Sequence, residues 1–166
     1  GNIHIHVDLI AGLPYETYEL FGRSFNKVYA LKADAFQMGF LKVLKGTMME
    51  QLSKEYGLEY TDKAPYEFIS NYWLSAEEAV RLKSIEKMLN IYYNRGGFER
   101  TLDYLICVME TEPFEFYEKL SGFYYGMGYH HVNRKKEEQY RILRKFALTE
   151  LGDDRIGEIE ELLMKD

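Results

Sequence analysis

The sequence predicts an α/β opening followed by a mainly helical remainder, and three observations carry that expectation. Residues 3–10 (IHIHVDLI) and 35–41 (AFQMGFL) alternate strictly between two faces, which is the pattern of β-strands. Between them lies a helical stretch of about fifteen residues, the length of a crossover joining parallel strands. After Gly46 the apolar spacing turns to the helical period. The chain has 166 residues, 46% of them hydrophobic, with a net charge of −6, so it is neither a disordered segment nor a membrane span. Domains are expected at residues 1–58 and 59–166.

The first strand has Ile3, Ile5, Val7 and Leu9 on one side and His4, His6, Asp8 and Ile10 on the other. Ala11-Gly12-Leu13-Pro14 turns the chain. Thr17 can cap a helix with Glu19 in its first turn, and Phe21, Phe25, Val28 and Tyr29 share a face. In the second strand Phe36, Met38 and Phe40 lie opposite Gln37, Gly39 and Leu41.

Beyond Gly46, helices alone are expected. Thr47 to Glu50 and Ser75 to Glu78 have the capping-box spacing. Gly57 closes the first short helix. The second is expected to run to about Asn94, with Leu82, Ile85, Leu89 and Tyr92 inward. Further helices are expected at residues 98–110, 113–125, 133–151 and 154–165, with a glycine-rich helix end and loop at 122–129. The first fifty residues carry five basic and five acidic side chains, so the whole net charge lies in the remainder. The chain opens on Gly1 rather than methionine, as a processed chain or a piece of a longer one would.

Two parallel strands are too few for a stable sheet, because such sheets are normally flanked and covered on both faces. The helix covers one face. The other presents His4, His6, Asp8 and Gln37, polar groups of the kind that point into a barrel lumen near its reaction centre. Residues 1–46 therefore read as a slice of a larger barrel, a partial TIM-like β-α-β fragment. The rival is an edge pair in a small α+β domain with one wet face, although neither strand carries the lysine or proline that blunts such an edge.

The turn reads HVDLIAGLPYET, and the second strand exits through GFLKVLKGT. Together they resemble the fifth strand, fifth helix and sixth strand of a radical SAM barrel, over residues 3–49. The wording QMGFLKVLKGT, the APYEF segment and the helical tail are similar to the cobalamin-binding-domain subgroup. Proteins of that subgroup are often labelled Mg-protoporphyrin IX monomethyl ester oxidative cyclase or Fe-S oxidoreductase, and they carry an extra helical domain that residues 60–166 would supply.

The resemblance implies S-adenosylmethionine and a [4Fe-4S] cluster as cofactors, with cobalamin possible, on a cytoplasmic protein whose substrate is unidentified. It implies that Ile10, Ala11 and Gly12 approach the adenosine, that Leu41 lies near the cofactor end of the sixth strand, and that His6, Asp8 and Gln37 face the lumen. Gly12, lacking a side chain, would let a flat ring lie against the backbone. The cluster-binding C-x-x-x-C-x-x-C run is absent, and Cys107, the single cysteine, reads as a core residue. The implied partners are upstream barrel and cobalamin domains of the same protein, and a homodimer through bare strand edges is the further possibility. Alone, the chain is expected to be inactive.

Three other functions compete. His4 and His6 have the H-x-H spacing of a metal-dependent hydrolase strand, but they lie below the strand's C-terminal rim, and His130 and His131 offer no later-strand ligands. The helical half could instead be a protein-interaction module without chemistry. Residues 133–145 (NRKKEEQYRILRK) could form a nucleic-acid stripe, yet Glu137 and Glu138 interrupt it and a solvated amphipathic helix accounts for every residue. The tyrosine-rich helices could line a groove for a planar substrate or a neighbouring domain, but are expected to be core with their hydroxyls in water.

Overall fold

The computed structural model describes residues 3–166, leaving Gly1 and Asn2, the start of the expected barrel slice, outside the description. It contains two compact units, Gly1–Glu86 and Lys87–Asp166.

In the first unit, strand β1 (His6–Ala11) leads through the Gly12–Pro14 turn to helix α1 (Tyr18–Tyr29) and back to strand β2 (Ala35–Phe40). The pair is parallel, as the crossover spacing predicts, with His6 opposite Ala35, Asp8 opposite Gln37 and Ile10 opposite Gly39. The first strand begins later than its alternation suggests. The amide of Ile5 donates to the Asp34 carboxylate at 2.8 Å, so that side chain holds the entry to the strand.

Thr17 caps α1, accepting from the amide of Leu20 at 3.3 Å. Phe21, Phe25 and Tyr29 are buried together with Phe36 and Met38, and the Phe25 and Phe36 rings lie 4.9 Å apart. Each buried phenylalanine contributes about 2–3 kcal/mol of transfer free energy. That packing satisfies one face of the strand pair and leaves the other bare.

The expectation of helices alone after Gly46 is wrong. A short antiparallel hairpin, β3 (Glu59–Tyr60) and β4 (Phe68–Ser70), follows helix α2 (Met48–Gln51). It pairs with the end of the second strand. Lys42 bridges Glu67, the amide of Phe68 donates to the Leu41 carbonyl at 2.8 Å, and that of Val43 donates to the Tyr66 carbonyl at 2.9 Å. A hairpin of the chain itself, rather than a second copy, covers that stretch.

Helix α3 (Ala76–Leu89) opens with the Ser75–Glu78 box fully made. The Ser75 amide donates to the Glu78 carboxylate at 2.8 Å, and the Glu78 amide donates to the Ser75 hydroxyl at 3.2 Å. It runs into a π-helical turn at Asn90–Asn94, with Leu82, Ile85, Leu89 and Tyr92 buried as the spacing requires.

The second unit then adds α4 (Glu99–Val108), α5 (Pro113–Gly126), α6 (Lys136–Leu151) and α7 (Ile156–Lys165). Its core holds Leu102, Leu105, Phe116, Tyr117, Leu120, Tyr124, Leu143, Phe146 and Ile159. The Asp166 carboxylate accepts from the amides of Arg100 at 3.0 Å and Thr101 at 2.9 Å, capping α4 from sixty-five residues away. Cys107 is exposed, contrary to the core assignment. It follows the buried Leu105 by two residues, about 200° around the helix, and therefore faces away.

Candidate functional site

The bare face of the parallel pair forms an open groove of about 440 Å³ towards the C-terminal ends of the strands. The alternation that sends Val7, Leu9 and Ala11 towards the helix turns His6, Asp8 and Ile10 outward. In the same way Gln37, Gly39 and Leu41 face out from the second strand. Asp8, Ile10, Gln37 and Leu41, four of the residues singled out in the sequence, line this groove together. Asp8 and Gln37 are register partners, so a carboxylate and an amide stand side by side. Ile10 is 47% exposed, a large share for an isoleucine in a strand.

Gly39 sits opposite Ile10, and a side chain added there would meet no atom within 4 Å. The space beside Ile10 is therefore open because residue 39 has no side chain. Lys42 also lines the groove and brings a cation. Sequence reasoning missed it, because Lys42 lies past the alternating segment that drew attention to its neighbours.

The other sequence-predicted residues lie elsewhere. His6 is exposed on the same face but beyond the groove lining. His4 is exposed, its Nδ1 3.7 Å from Asp34. Among the described residues, no three histidine, cysteine, aspartate or glutamate side chains come together as a metal site.

Ala11 is fully buried on the opposite face, and its carbonyl accepts from the Leu41 amide at 2.9 Å. At Gly12 a flat ring does lie against the backbone, but it is the chain's own Phe68. A side-chain carbon at residue 12 would fall 2.6 Å from the Phe68 ring, and the φ of +92° also favours glycine. The Gly12 carbonyl accepts from the Asn71 side-chain amide at 3.0 Å.

His130 and His131 meet in the helical unit. The His130 ring stacks on Tyr125 at 4.4 Å and lies 3.9 Å from the His131 ring, while Lys87 donates to the His130 carbonyl at 3.1 Å. Burial, then the neighbouring His131 and Lys87, hold the His130 imidazole below its ordinary value. The folded chain thus resists a proton that the unfolded chain accepts. The stability due to this group is complete above about pH 6.5 and is lost as the pH falls below that value. The thermal midpoint is expected to drop more between pH 7 and 5 in the natural chain than in His130→Phe, which keeps the stacked ring without the proton site. Equal drops would contradict this.

No helix of the described residues is long and apolar enough to cross a membrane. The sequence model of a family described as a protein of unknown function (DUF4080) matches residues 54–166. No curated protein matches the chain.

Proposed function

Because the chain belongs to the DUF4080 family of proteins of unknown function, we propose that family membership here marks the helical accessory domain of a radical SAM protein of the cobalamin-binding subgroup. Residues 3–49 then supply the last strands of the barrel, and the groove borders S-adenosylmethionine. The observation that carries this reading is the bare groove-bearing face of a parallel pair whose other face is already packed. The family match supports it by beginning at residue 54, just past the strands that carry the resemblance.

The groove suits the nucleoside end of that cofactor. Ile10 and Leu41 offer apolar contact, the missing side chain at Gly39 leaves room for a flat ring, and Asp8 and Gln37 can exchange hydrogen bonds with hydroxyl groups. Gly12 does not suit it, since Phe68 fills the position. The chain's residues do not hold the cluster, because Cys107 is its single cysteine. The chemistry supplied by a bound cluster with S-adenosylmethionine is reductive formation of a carbon radical. The part of this chain is to bind and orient the nucleoside and to exclude water from that side of the barrel.

The coding sequence upstream of Gly1 should specify three clustered cysteines. The longer polypeptide, reconstituted anaerobically with iron and sulfide and then reduced with dithionite, which supplies the electron, should release 5′-deoxyadenosine and methionine from S-adenosylmethionine. In that polypeptide Gly39→Leu should weaken S-adenosylmethionine binding about tenfold, or about 1.4 kcal/mol. Absence of the cysteines, or unchanged binding by Gly39→Leu, would end this reading.

A further inference from the structure

Three loops of the first unit bring aromatic rings together near the C-terminal end of the first strand. Tyr15 stands 4.5 Å from Trp73 and 5.8 Å from Tyr56, measured between ring centres, and Tyr56 and Trp73 are 5.9 Å apart. Asn71 ties two of the loops, donating to the Gly12 carbonyl while its own side-chain oxygen accepts from the amides of Trp73 at 2.9 Å and Leu74 at 2.8 Å. Despite these contacts Tyr15 is 64% exposed, and its φ of +68° is a left-handed conformation that costs a non-glycine residue about 1 kcal/mol or more. Tyr56 and Trp73 hold the Tyr15 ring in place while most of its surface stays open to solvent.

Tyr15 also lines a cleft of about 500 Å³, with Leu13, Leu20, Glu16, Arg23 and Lys27. That volume is of small-molecule size. Arg23 and Lys27 are one turn apart on α1, both are exposed, and neither is taken up in an ion pair among the described residues. Glu16 opposes them with one carboxyl group. Burial pushes that group towards its neutral form, and a Ser24 hydrogen bond pulls the other way. The lining therefore combines a flat aromatic wall with an excess of positive charge.

We propose that this cleft binds a small planar aromatic anion, with its ring on Tyr15 and its acid group on Arg23 and Lys27. Stacking selects the ring, and the paired cations select the acid. The cleft and the strand groove have different linings, so the site stands apart from the nucleoside reading and can fail or hold without it.

The chain has one tryptophan, so the Trp73 indole N–H gives a single nuclear magnetic resonance signal behind the Tyr15 ring. Titration with 2-naphthoate should shift that signal saturably, and neutral 2-naphthamide should bind at least tenfold more weakly. Arg23→Gln combined with Lys27→Gln should remove the preference for the acid. Tyr15→Gly relieves the left-handed strain, so the chain should stay folded and lose the response. A shift that does not saturate, equal affinity for acid and amide, or an unchanged response in Tyr15→Gly would overturn the proposal.

Discussion

Replacing Gly12 with valine should destabilise the chain by about 3 kcal/mol, through two independent effects. The backbone at residue 12 has a φ of +92°, which a β-branched residue adopts only under strain. The first side-chain atom would also fall 2.6 Å from the Phe68 ring. That ring cannot easily retreat. Phe68 is 1% exposed, and its amide is held by the Leu41 carbonyl at 2.8 Å. The urea midpoint should fall accordingly. Phe68→Ala should cost several kcal/mol in the natural chain and clearly less in the Gly12→Val background, because the two substitutions share one space. Strict additivity would show that the ring and the glycine are not coupled as described.

The second large effect is expected at Gln139, a polar side chain only 3% exposed in the helical unit. It accepts from the Tyr92 hydroxyl at 3.1 Å and donates to the Tyr124 hydroxyl at 3.2 Å. Both rings are fully buried, and burial pushes the Tyr92 phenol well above its ordinary value. Gln139→Leu strips both hydroxyls of this partner, at about 1–3 kcal/mol for each one left unsatisfied. Tyr92 keeps a weaker contact to the Gln139 backbone carbonyl at 3.4 Å, so Tyr124 should lose more.

A total of about 3 kcal/mol is expected in urea unfolding. The triple variant Tyr92→Phe, Tyr124→Phe, Gln139→Leu should recover most of it, since removing every polar partner together leaves nothing orphaned. If the triple variant is as unstable as Gln139→Leu, shape rather than hydrogen bonding sets the cost.

Local order was legible where a pattern ran long enough to be read. Alternation of apolar side chains located the parallel pair, and spacing alone placed Leu82, Ile85, Leu89 and Tyr92 inside. The capping partners Thr17 and Ser75 bond as their sequence positions imply. The hairpin escaped because strands of two and three residues are too short to show a period. Its value lies in long-range contacts, such as the Phe68 amide to the Leu41 carbonyl, that no local window contains.

The same reason hid the aromatic cluster, whose rings come from residues 15, 56 and 73. Within the groove, Asp8, Ile10, Gln37 and Leu41 were accessible from strand phase, because phase alone decides which side faces out. What occupies the space at Gly12 was not accessible, since the ring that fills it belongs to Phe68, far outside any local window. Cys107 was readable and misread: counting from Leu102 and Leu105 puts it on the outer face.

A barrel requires the bare side of the parallel pair to be completed by further polypeptide. Amide hydrogen exchange at His6–Ala11 tests this most directly, compared between the present chain and the longer polypeptide proposed to contain it. Protection of these amides should rise at least a hundredfold in the longer form, as neighbouring strands close over the first one. Equal exchange rates in the two forms would mean that the strand stays at an open edge, and would contradict the barrel reading.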